Sequence, residues 1–532
     1  LAGRAALFTD GRYTLQAEAE TDPALWQRRH SIEQPAPAWT RAAAGANARI
    51  GYDPWLMSEE EIGRFRAAGL TLVAVAENPV DAIWADRPSP PASPAFAHPP
   101  ALAGRDVAEK RAEIAALLRA AGEEAAILTD PASLCWLLNM RGADVPYTPF
   151  VLGFGLLRAD GGTALFLDPA RVPAALTEAW GPAVSVHPRA ALGTALAALS
   201  GKRVRVDPAG SPAWFAETLR AAGAEISPGP DPCLLPKACK NPVEQEGARQ
   251  AQRRDGVALC RFLHWLAGAA PGAMPTELSA AETLVARRAE APEFRGESFP
   301  AISAAGPDGA VIHYRVRPAT DRPIGPDQVY LIDSGAQYPD GTTDVTRTVW
   351  IGPGAPPDLV RDRFTRVLQG HIAIATLRFP KGVTGAHIDS LARRPLWQEG
   401  LDYDHGTGHG VGSYLSVHEG PASISRAARP VALAPGMVLS NEPGFYLPGG
   451  FGIRLENLLL VQSEPAAGGG RAFLGFETLT LAPFDRALIL PALLAAAERA
   501  WLDAYHARVL AEIGPLLPAA ARSWLEGACA PL

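Results

Sequence analysis

The chain has 532 residues, of which 48% are hydrophobic and 20% are charged, a globular composition long enough for more than one domain. Its net charge of −7 and the lack of a basic stripe argue against a nucleic-acid-binding protein. The sequence has five scattered cysteines without a C-x-x-C pair and no apolar run approaching the ~18 residues of a membrane span, so we expect a soluble cytoplasmic protein without a disulfide framework, a thiolate zinc site or a membrane anchor.

The first 240 residues contain a faint duplication. "ALFTDGR" at 6–12 resembles "ALFLDPAR" at 164–171, and "RIGYDP" at 49–54 resembles "VRVDP" at 204–208. Each copy reads strand, helix, short strand, helix, strand, an order that indicates an α/β layer. Chance similarity in an alanine-rich sequence is the alternative, but equal spacing from the aspartate-proline pair to a following "AAG" favours a true repeat.

The second copy has an opening that the first lacks. Residues 104–142 predict an amphipathic helix, a short strand and a helix that begins near Asp130 or Pro131. Only five residues precede the first copy, so we expect roughly 50–60 residues to be absent from the N-terminus, judged from the lengths of the two copies. The predicted boundaries are a shortened first domain at 1–103, a second at 104–238, a third at 239–470 and an extension at 471–532.

Acidic residues flank two strand-like segments in the third domain. "VYLIDSGAQYPDGTTDVTRTVWIG" (329–352) reads as two antiparallel strands with turn chemistry at "YPDG". Asp333 and Asp344 lie near the ends of these strands and are predicted to face each other. Asp340, beside Gly341, is interpreted as the turn residue.

Two further acids and a glycine-rich histidine motif follow. Glu442 comes after an apolar strand, and Glu456 is predicted to lie within another, where an unpaired carboxylate is costly. In "DHGTGHGVG" (404–412), His405 and His409 stand four apart, but glycine at every second position excludes a helix. We expect extended backbone in which the glycines allow neighbouring groups to approach closely.

The convergence of four carboxylates and one imidazole would need cations, because the carboxylates would otherwise repel one another and protonate. Oxygen-rich ligation with one nitrogen suits two divalent ions, Mn²⁺ first, then Co²⁺, Zn²⁺ or Fe²⁺. Such a pair would hold a bridging hydroxide and polarise a carbonyl group. The alternative is a set of unrelated surface acids and a core histidine.

At these residues the sequence resembles the pita-bread metallopeptidase family. "HGTGHGVGSYLSVHEGP", "LIDSGAQYPDGTTDVTRT", "SNEPGFY" and "FGIRLEN" carry the resemblance, which is strongest to its three-domain Xaa-Pro aminopeptidase branch and covers nearly the whole chain. It implies an α/β protein with two related creatinase-like N-terminal domains before the pita-bread domain. It also implies a homodimer that acts on peptides with a penultimate proline.

The resemblance assigns the metal ligands residue by residue. It implies that Asp333 binds one metal, that His409 and Glu442 bind the other, and that Asp344 and Glu456 bridge the two. Glu442 is also the implied general base.

Four further active-site residues are implied by the resemblance. His405, His418 and His313 match family histidines outside the metal shell, and Arg454 matches an arginine that orients a ligand or a carboxylate. His405 is expected to line the substrate path, with a structural hydrogen bond as the alternative. Trp350 stands where many relatives have a histidine, and no role is attached to it.

Other readings stay open at this point. An Xaa-Pro dipeptidase and a non-catalytic peptide-binding module of the same fold are the rivals, and intact ligands argue against the second. His371 and His264 lie in helical patterns and are predicted to be structural. Arg12 is by default a surface residue, although it would reach an active site across a domain gap or a dimer interface.

Overall fold

The computed structural model describes residues 3–45, 47–269, 274–465 and 470–532. The chain divides into two compact units: Leu1–Asp10 with Glu20–Lys237, and Gly11–Ala19 with Ala238–Leu532. Within the described ranges no helix is both long and apolar enough to cross a membrane. All five cysteines are free of disulfide bonds, as predicted.

Short helices and strands alternate through the first 238 residues. The helices are α1 (Thr14–Glu20), α2 (Ala36–Ala44), α3 (Glu59–Ala67), α4 (Pro79–Ile83), α5 (Pro100–Ala103), α6 (Val107–Ala120), α7 (Pro131–Leu137), α8 (Ala174–Trp180), α9 (Leu192–Ala197), α10 (Ala213–Ala221) and α11 (Leu234–Ala238). The strands are β1 (Ala5–Thr9), β2 (Trp26–His30), β3 (Arg49–Tyr52), β4 (Thr71–Ala74), β5 (Phe96–Ala97), β6 (Ala125–Leu128), β7 (Met140–Arg141), β8 (Phe154–Arg158), β9 (Thr163–Phe166), β10 (Val184–His187), β11 (Arg203–Val206) and β12 (Glu225–Pro228).

The predicted duplication is visible in the strand pairing. β1 pairs in parallel with β2 and β3 with β4, as β9 pairs with β10 and β11 with β12. In the second copy β8 and β6 join the two pairs into one sheet of order β10-β9-β8-β6-β11-β12. The predicted helix, strand and helix of 104–142 are α6, β6 and α7, and the Asp130 carboxylate caps α7. The boundary predicted at 103 stays a prediction.

The second unit is built on longer helices and antiparallel strands. Its helices are α12 (Pro242–Ala267), α13 (Glu277–Arg288), α14 (Asp358–Ala375), α15 (Gly385–Trp397), α16 (Ala496–Ile513) and α17 (Ala519–Ala528). Its strands are β13 (Ile302–Ala305), β14 (Gln328–Ser334), β15 (Gln337–Tyr338), β16 (Gly341–Thr342), β17 (Val345–Ile351), β18 (Phe379–Pro380), β19 (Gly408–Gly410), β20 (Glu419–Ile424), β21 (Val438–Asn441), β22 (Gly444–Leu447), β23 (Phe451–Arg454), β24 (Asn457–Glu464) and β25 (Phe473–Thr478).

Two sheets organise this unit. One has the order β13-β14-β17, and the other has the order β18-β25-β24-β21-β19-β20, with every neighbouring pair antiparallel. Between β14 and β17 the small hairpin β15–β16 turns at Asp340, which pairs with Arg254, so the predicted turn role is confirmed. α12 begins at Pro242 with Asn241 as its cap, and the Glu244 carboxylate completes a capping box.

His371 is a structural histidine, as predicted. It is fully buried in α14, where Nδ1 lies 3.2 Å from the Leu455 carbonyl oxygen and Nε2 lies 3.2 Å from Asn457 Nδ2. Arg347 donates to Asn457 Oδ1, which fixes the amide and turns its NH₂ group toward the imidazole. The neutral ring therefore donates from Nδ1 and accepts at Nε2, and a second ring proton would meet a donor.

We expect this burial to make the protein less stable in mild acid. Burial, together with the charge of Arg347, lowers the pKa of His371 to about 3, far below its value in an unfolded chain. The stabilisation from the neutral ring is complete above pH ~6.5 and is lost as the pH falls toward 3, at a cost of about 2 kcal/mol by pH 5. The urea midpoint should fall less between pH 7.5 and pH 5 in His371→Gln than in the wild type, in which His506 and other buried histidines add to the loss. An equal fall in the two proteins would contradict the assignment.

Candidate metal centre

The strands β14 and β17 bring two aspartates together. Asp333 lies on β14 opposite Thr346, and Asp344 immediately precedes β17. Both residues are buried: 8% of the surface of Asp333 and 4% of that of Asp344 is exposed. Burial first, and then the charge of Asp333, raise the pKa of Asp344, and the facing of the two carboxylates stays a prediction.

Glycine lets the strand that carries His409 enter the middle of a sheet. β19 lies between β21 and β20, and a side chain on Gly408 or Gly410 would overlap the backbone oxygen of Ser440 or Glu419. The predicted extended backbone is confirmed, and the groups that come close are main-chain atoms of the neighbouring strands. This packing fixes His409 near the end of β21, where Glu442 follows.

Glu456 lies in the two-residue break between β23 and β24, so the expectation that it lies inside a strand was wrong. Its backbone N–H donates to the Thr346 carbonyl oxygen at 3.2 Å, and the Thr346 hydroxyl donates to its Oε2 at 2.8 Å. The break lets Glu456 leave the β24 ladder and turn toward β17. Ligand atoms of Asp344, His409 and Glu456 all lie within 4.8 Å of one another.

The donor pattern around His409 fits a cation. Its Nδ1 lies 2.9 Å from the Gly410 carbonyl oxygen and therefore carries the ring proton, which leaves a lone pair on Nε2. That lone pair faces Asp344 Oδ2 at 3.4 Å and Glu442 Oε1 at 3.5 Å. Asp333 Oδ1 is also buried without a hydrogen-bond partner among the described residues. Lone pairs that converge without a donor are satisfied by metal ions.

The electrostatics of the cluster agree with this reading. Burial first, and then the neighbouring carboxylates, hold the pKa of Asp344 and of Glu456 well above their usual ranges, and burial raises the pKa of Glu442. Without cations at neutral pH the cluster would be a set of buried, mutually repelling charges. The residues present therefore fit two divalent ions, as predicted from the sequence.

A hydrogen-bonded chain runs from the acids to His405. Arg454 donates to Asp333 Oδ2 at 2.6 Å and to the Tyr446 hydroxyl at 2.8 Å, and that hydroxyl lies 2.8 Å from His405 Nε2. His405 Nδ1 lies 2.7 Å from the Gly406 carbonyl oxygen, so both ring nitrogens have protein partners. In this structure His405 makes the structural hydrogen bond that was the alternative to lining the substrate path.

His418 stands beside His409, a candidate metal ligand. The two ring centroids are 4.2 Å apart, with the rings nearly perpendicular at 87°. A positive charge on His418 would be unfavourable beside His409, and this effect first, then burial, then the nearness of His313 and Arg12, lowers the pKa of His418 to about 3. Arg12 is half-buried and belongs to the second unit, so the expectation of a surface arginine stays open.

A buried ion pair supports the strand that begins after His418. Lys240 Nζ pairs with Glu419, and their side chains are only 3% and 2% exposed. Glu419 is also opposite Gly410 in the β19–β20 ladder. The pair thus joins the start of the second unit to the strand next to His409.

Comparisons with known proteins agree with this geometry. Residues 246–463 match the family model described as metallopeptidase family M24, residues 86–244 match the creatinase/prolidase N-terminal domain, and residues 472–532 match the C-terminal region of peptidase M24. A probable Xaa-Pro aminopeptidase P of Laccaria bicolor is 40% identical over 99% of this chain and 85% of its own length. The chain belongs to metallopeptidase family M24.

Other members of the family extend the comparison. Aminopeptidase P1 of Lotus japonicus is 36% identical over 99% of this chain and 90% of its own length. The X-prolyl aminopeptidase of Caenorhabditis elegans, described as a cytosolic enzyme with a dinuclear active site, superimposes with a TM-score of 0.93 at 33% identity, over 100% of this chain and 89% of that one. An Xaa-Pro dipeptidase of Bacillus anthracis shares the fold over 71% of this chain, with a TM-score of 0.58. The predicted family and pita-bread fold are confirmed.

Sequence reasoning missed several residues of this M24 site. Tyr446 was detectable, because "FYLPGGFGIR" reads as a hairpin and the pairing of Gly444 with Arg454 makes Tyr446 a diagonal neighbour of Arg454. Thr346, Lys240 and Tyr13 gave no local signal, since each contacts a residue more than 100 positions away.

Proposed function

We propose that this chain is a metallo-aminopeptidase that hydrolyses the bond between any N-terminal residue and a penultimate proline. The carrying observation is the lone pair of His409 Nε2 turned toward buried carboxylates, an arrangement that suits a bound cation. Asp333, Asp344, His409, Glu442 and Glu456 would hold two divalent ions, Mn²⁺ first and Co²⁺ or Zn²⁺ as alternatives. Such ions supply Lewis acidity to the peptide carbonyl and make a water molecule acidic.

The chain's own groups provide the proton transfers. Glu442 is the general base: its Oε1 accepts a hydrogen bond from the Ser440 hydroxyl at 3.0 Å, which holds the carboxylate in place while it takes a proton from water and passes it to the leaving nitrogen. The Ser440 hydroxyl in turn accepts from the backbone N–H of His409 at 2.9 Å, so Glu442 and the main chain that carries the His409 ring share one support.

Other residues of the site would bind and orient the peptide. The free amine of the substrate binds near Asp333, which confines attack to the first bond. His418 and His313 donate to the oxygen on which negative charge develops. Arg454 orients Asp333, and through Tyr446 it keeps His405 in place.

The proline specificity is supported by the relatives rather than by a pocket in this chain. An imide bond to proline has no N–H and a fixed φ, so peptidases that rely on that N–H and on a flexible chain fail there. Relatives named Xaa-Pro aminopeptidase P match this chain over 99% of its length. We further propose a cytoplasmic homodimer, and the domain boundaries at 103, 238 and 470 as the limits of its folding units.

The test is product analysis on Mn²⁺-loaded protein. An Arg-Pro-Pro peptide, an Ala-Pro dipeptide and an Ala-Ala-Ala control are incubated with the wild type and with Glu442→Gln, and products are followed by mass spectrometry. We expect the wild type to release the first residue from Arg-Pro-Pro, whether or not it also cleaves Ala-Pro. We expect kcat to fall about 10²–10⁴-fold in Glu442→Gln.

Each other result excludes part of the proposal. Cleavage of only the dipeptide would identify a dipeptidase. Cleavage of Ala-Ala-Ala at a similar rate would remove the proline requirement. No cleavage with two metals bound per chain, counted by elemental analysis, would favour a non-catalytic binding role.

A further inference from the structure

A segment from the start of the chain belongs to the second unit. Residues Gly11–Ala19 group with Ala238–Leu532, although the strand before them, β1, belongs to the first unit. Gly11 packs so closely on Asp404, the residue before His405, that a side chain at position 11 would overlap the Asp404 side chain. The segment is therefore held against the loop that carries the site histidines.

Tyr13 on this segment contacts His313. The Tyr13 hydroxyl lies 2.7 Å from His313 Nδ1, and the two ring centroids are 4.9 Å apart at an angle of 78°. The guanidinium carbon of Arg12 lies 5.8 Å from the Tyr13 ring centroid. A short hydrogen bond combined with an edge-to-face ring contact fixes both the distance and the plane of the imidazole.

The chemistry of the two groups decides where the protons are. A phenol has a pKa of about 10 and is a stronger hydrogen-bond donor than a neutral imidazole N–H. The favoured arrangement is therefore a Tyr13 O–H that donates to an unprotonated His313 Nδ1. In a neutral imidazole the remaining proton is then on Nε2, so the ring becomes a donor at that atom.

We infer that Tyr13 is a positioning residue for the reaction: it selects the Nε2–H tautomer of His313 and thereby makes His313 a donor to the substrate oxygen that gains negative charge. The inference rests on the proposed function for the role of His313 and goes beyond it by assigning Tyr13. None of the matched family-model ranges, 86–244, 246–463 and 472–532, includes Tyr13.

Positioning and simple packing make different predictions. Without the hydroxyl, His313 would divide between two tautomers and lose its fixed plane, so fewer molecules would present a donor as charge develops. Such a loss falls on kcat and leaves substrate affinity nearly unchanged. If Tyr13 only packed against His313, its loss would lower the stability of the protein and leave the kcat of the folded molecules unchanged.

The first test is Tyr13→Phe, which keeps the ring and removes only the hydroxyl. We expect kcat on the Arg-Pro-Pro peptide to fall about 10-fold, a fraction of the 10²–10³-fold seen when an oxyanion donor is removed outright, with KM within about twofold. Tyr52→Phe is the matched control, because Tyr52 is also a hydrogen-bonded phenol, 2.5 Å from Glu217 Oε1, but lies in the first unit.

A double-mutant cycle shows whether Tyr13 acts through His313. In a His313→Ala background, Tyr13→Phe should change kcat by less than about twofold, because the group that it positions is gone. A full 10-fold effect in that background would overturn the inference. So would an unchanged kcat for Tyr13→Phe in the wild-type background.

A spectroscopic readout separates this inference from the proposed function. Nitrogen NMR of ¹⁵N-histidine-labelled, Zn²⁺-loaded protein reports the tautomer of His313, identified by the signals missing in His313→Ala. We expect the proton on Nε2 in the wild type and a mixture in Tyr13→Phe. A proton on Nδ1 in the wild type, or no change in the variant, would overturn the inference. If the wild type cleaves no peptide while the tautomer changes as expected, the proposed function fails and with it the role of His313 in the reaction, but the selection of the tautomer by Tyr13 stands.

Discussion

Asp344→Asn is expected to abolish metal binding and peptide hydrolysis while making the metal-free protein more stable than the metal-free wild type. Asp344 is buried, and both burial and the charges of Asp333 and Glu442 raise its pKa, so its ionised form opposes folding when no cation is present. Replacing one charge in such a buried group with an isosteric amide is expected to stabilise the metal-free protein, because it removes part of the repulsion among the carboxylates. With metals present the variant should instead be less stable than the wild type, because an amide cannot replace the charged carboxylate that binds the metal.

Elemental analysis tests the loss of metal binding, and urea unfolding with and without a chelator tests the change in stability. We expect metal affinity to fall by more than ~100-fold. Losing a residue that only hydrogen-bonds to a metal ligand costs up to about 100-fold, and losing the ligand itself should cost more. Asp340→Asn is the matched control: Asp340 is four residues away at the β15–β16 turn, paired with Arg254, and should keep both metals. Two bound metals in Asp344→Asn, or a lower stability without metals, would refute the assignment.

Arg347→Met is expected to be the most destabilising single change in the second unit. The Arg347 side chain is almost fully buried, at 1% exposed, and its guanidinium lies 4.3 Å over the Phe484 ring. It donates to six oxygens that join β17 and β24 to the C-terminal extension: the carbonyls of Thr346, Glu456, Ala482 and Pro483, Asn457 Oδ1 and Tyr505 Oη.

Methionine would fill the space but remove the charged donor that these oxygens share, although the Thr346 and Ala482 carbonyls would keep the Glu456 N–H and the Tyr505 hydroxyl. Breaking a buried charged network of this kind costs about 3–5 kcal/mol, so urea unfolding should shift by that amount, with early proteolysis of 483–532. Arg361→Met is the control, because Arg361 makes one bond to the extension, to the Ile489 carbonyl oxygen at 3.0 Å, and is 30% exposed. If Arg347→Met gives no folded protein, Arg347→Lys should give a smaller shift. A wild-type midpoint in either variant would refute the argument.

Local pattern was enough to predict the elements of the site. Apolar strands that end in an acid, glycine at alternate positions around His409, and turn residues between β14 and β17 each reflect backbone chemistry within about ten residues. These signals, with the resemblance, predicted five candidate ligands, of which the structure brings Asp344, His409 and Glu456 within 4.8 Å of one another. They did not predict the break at Glu456, because a two-residue interruption leaves the apolar pattern of β23 and β24 intact.

The remaining contacts depend on the order of strands in space. Thr346 and Glu456 are 110 positions apart and meet only because β17 lies beside the β23–β24 junction. Arg347 and Tyr505 are 158 positions apart. Alternation along a strand tells which face a residue takes, but not which distant strand lies opposite that face. His405 shows the same limit, since its role depends on the Tyr446 hydroxyl.

The placement of Gly11–Ala19 has a consequence for biosynthesis. Tyr13 and His313 are 300 positions apart, and a ribosome that adds roughly 5–20 residues per second needs about 15–60 s to pass from one to the other. During that interval the segment is already outside the ribosome, whereas the residues on which it packs do not yet exist. Residues 11–19 therefore reach their final contacts long after their own synthesis, because those contacts wait for the part of the chain that carries His313.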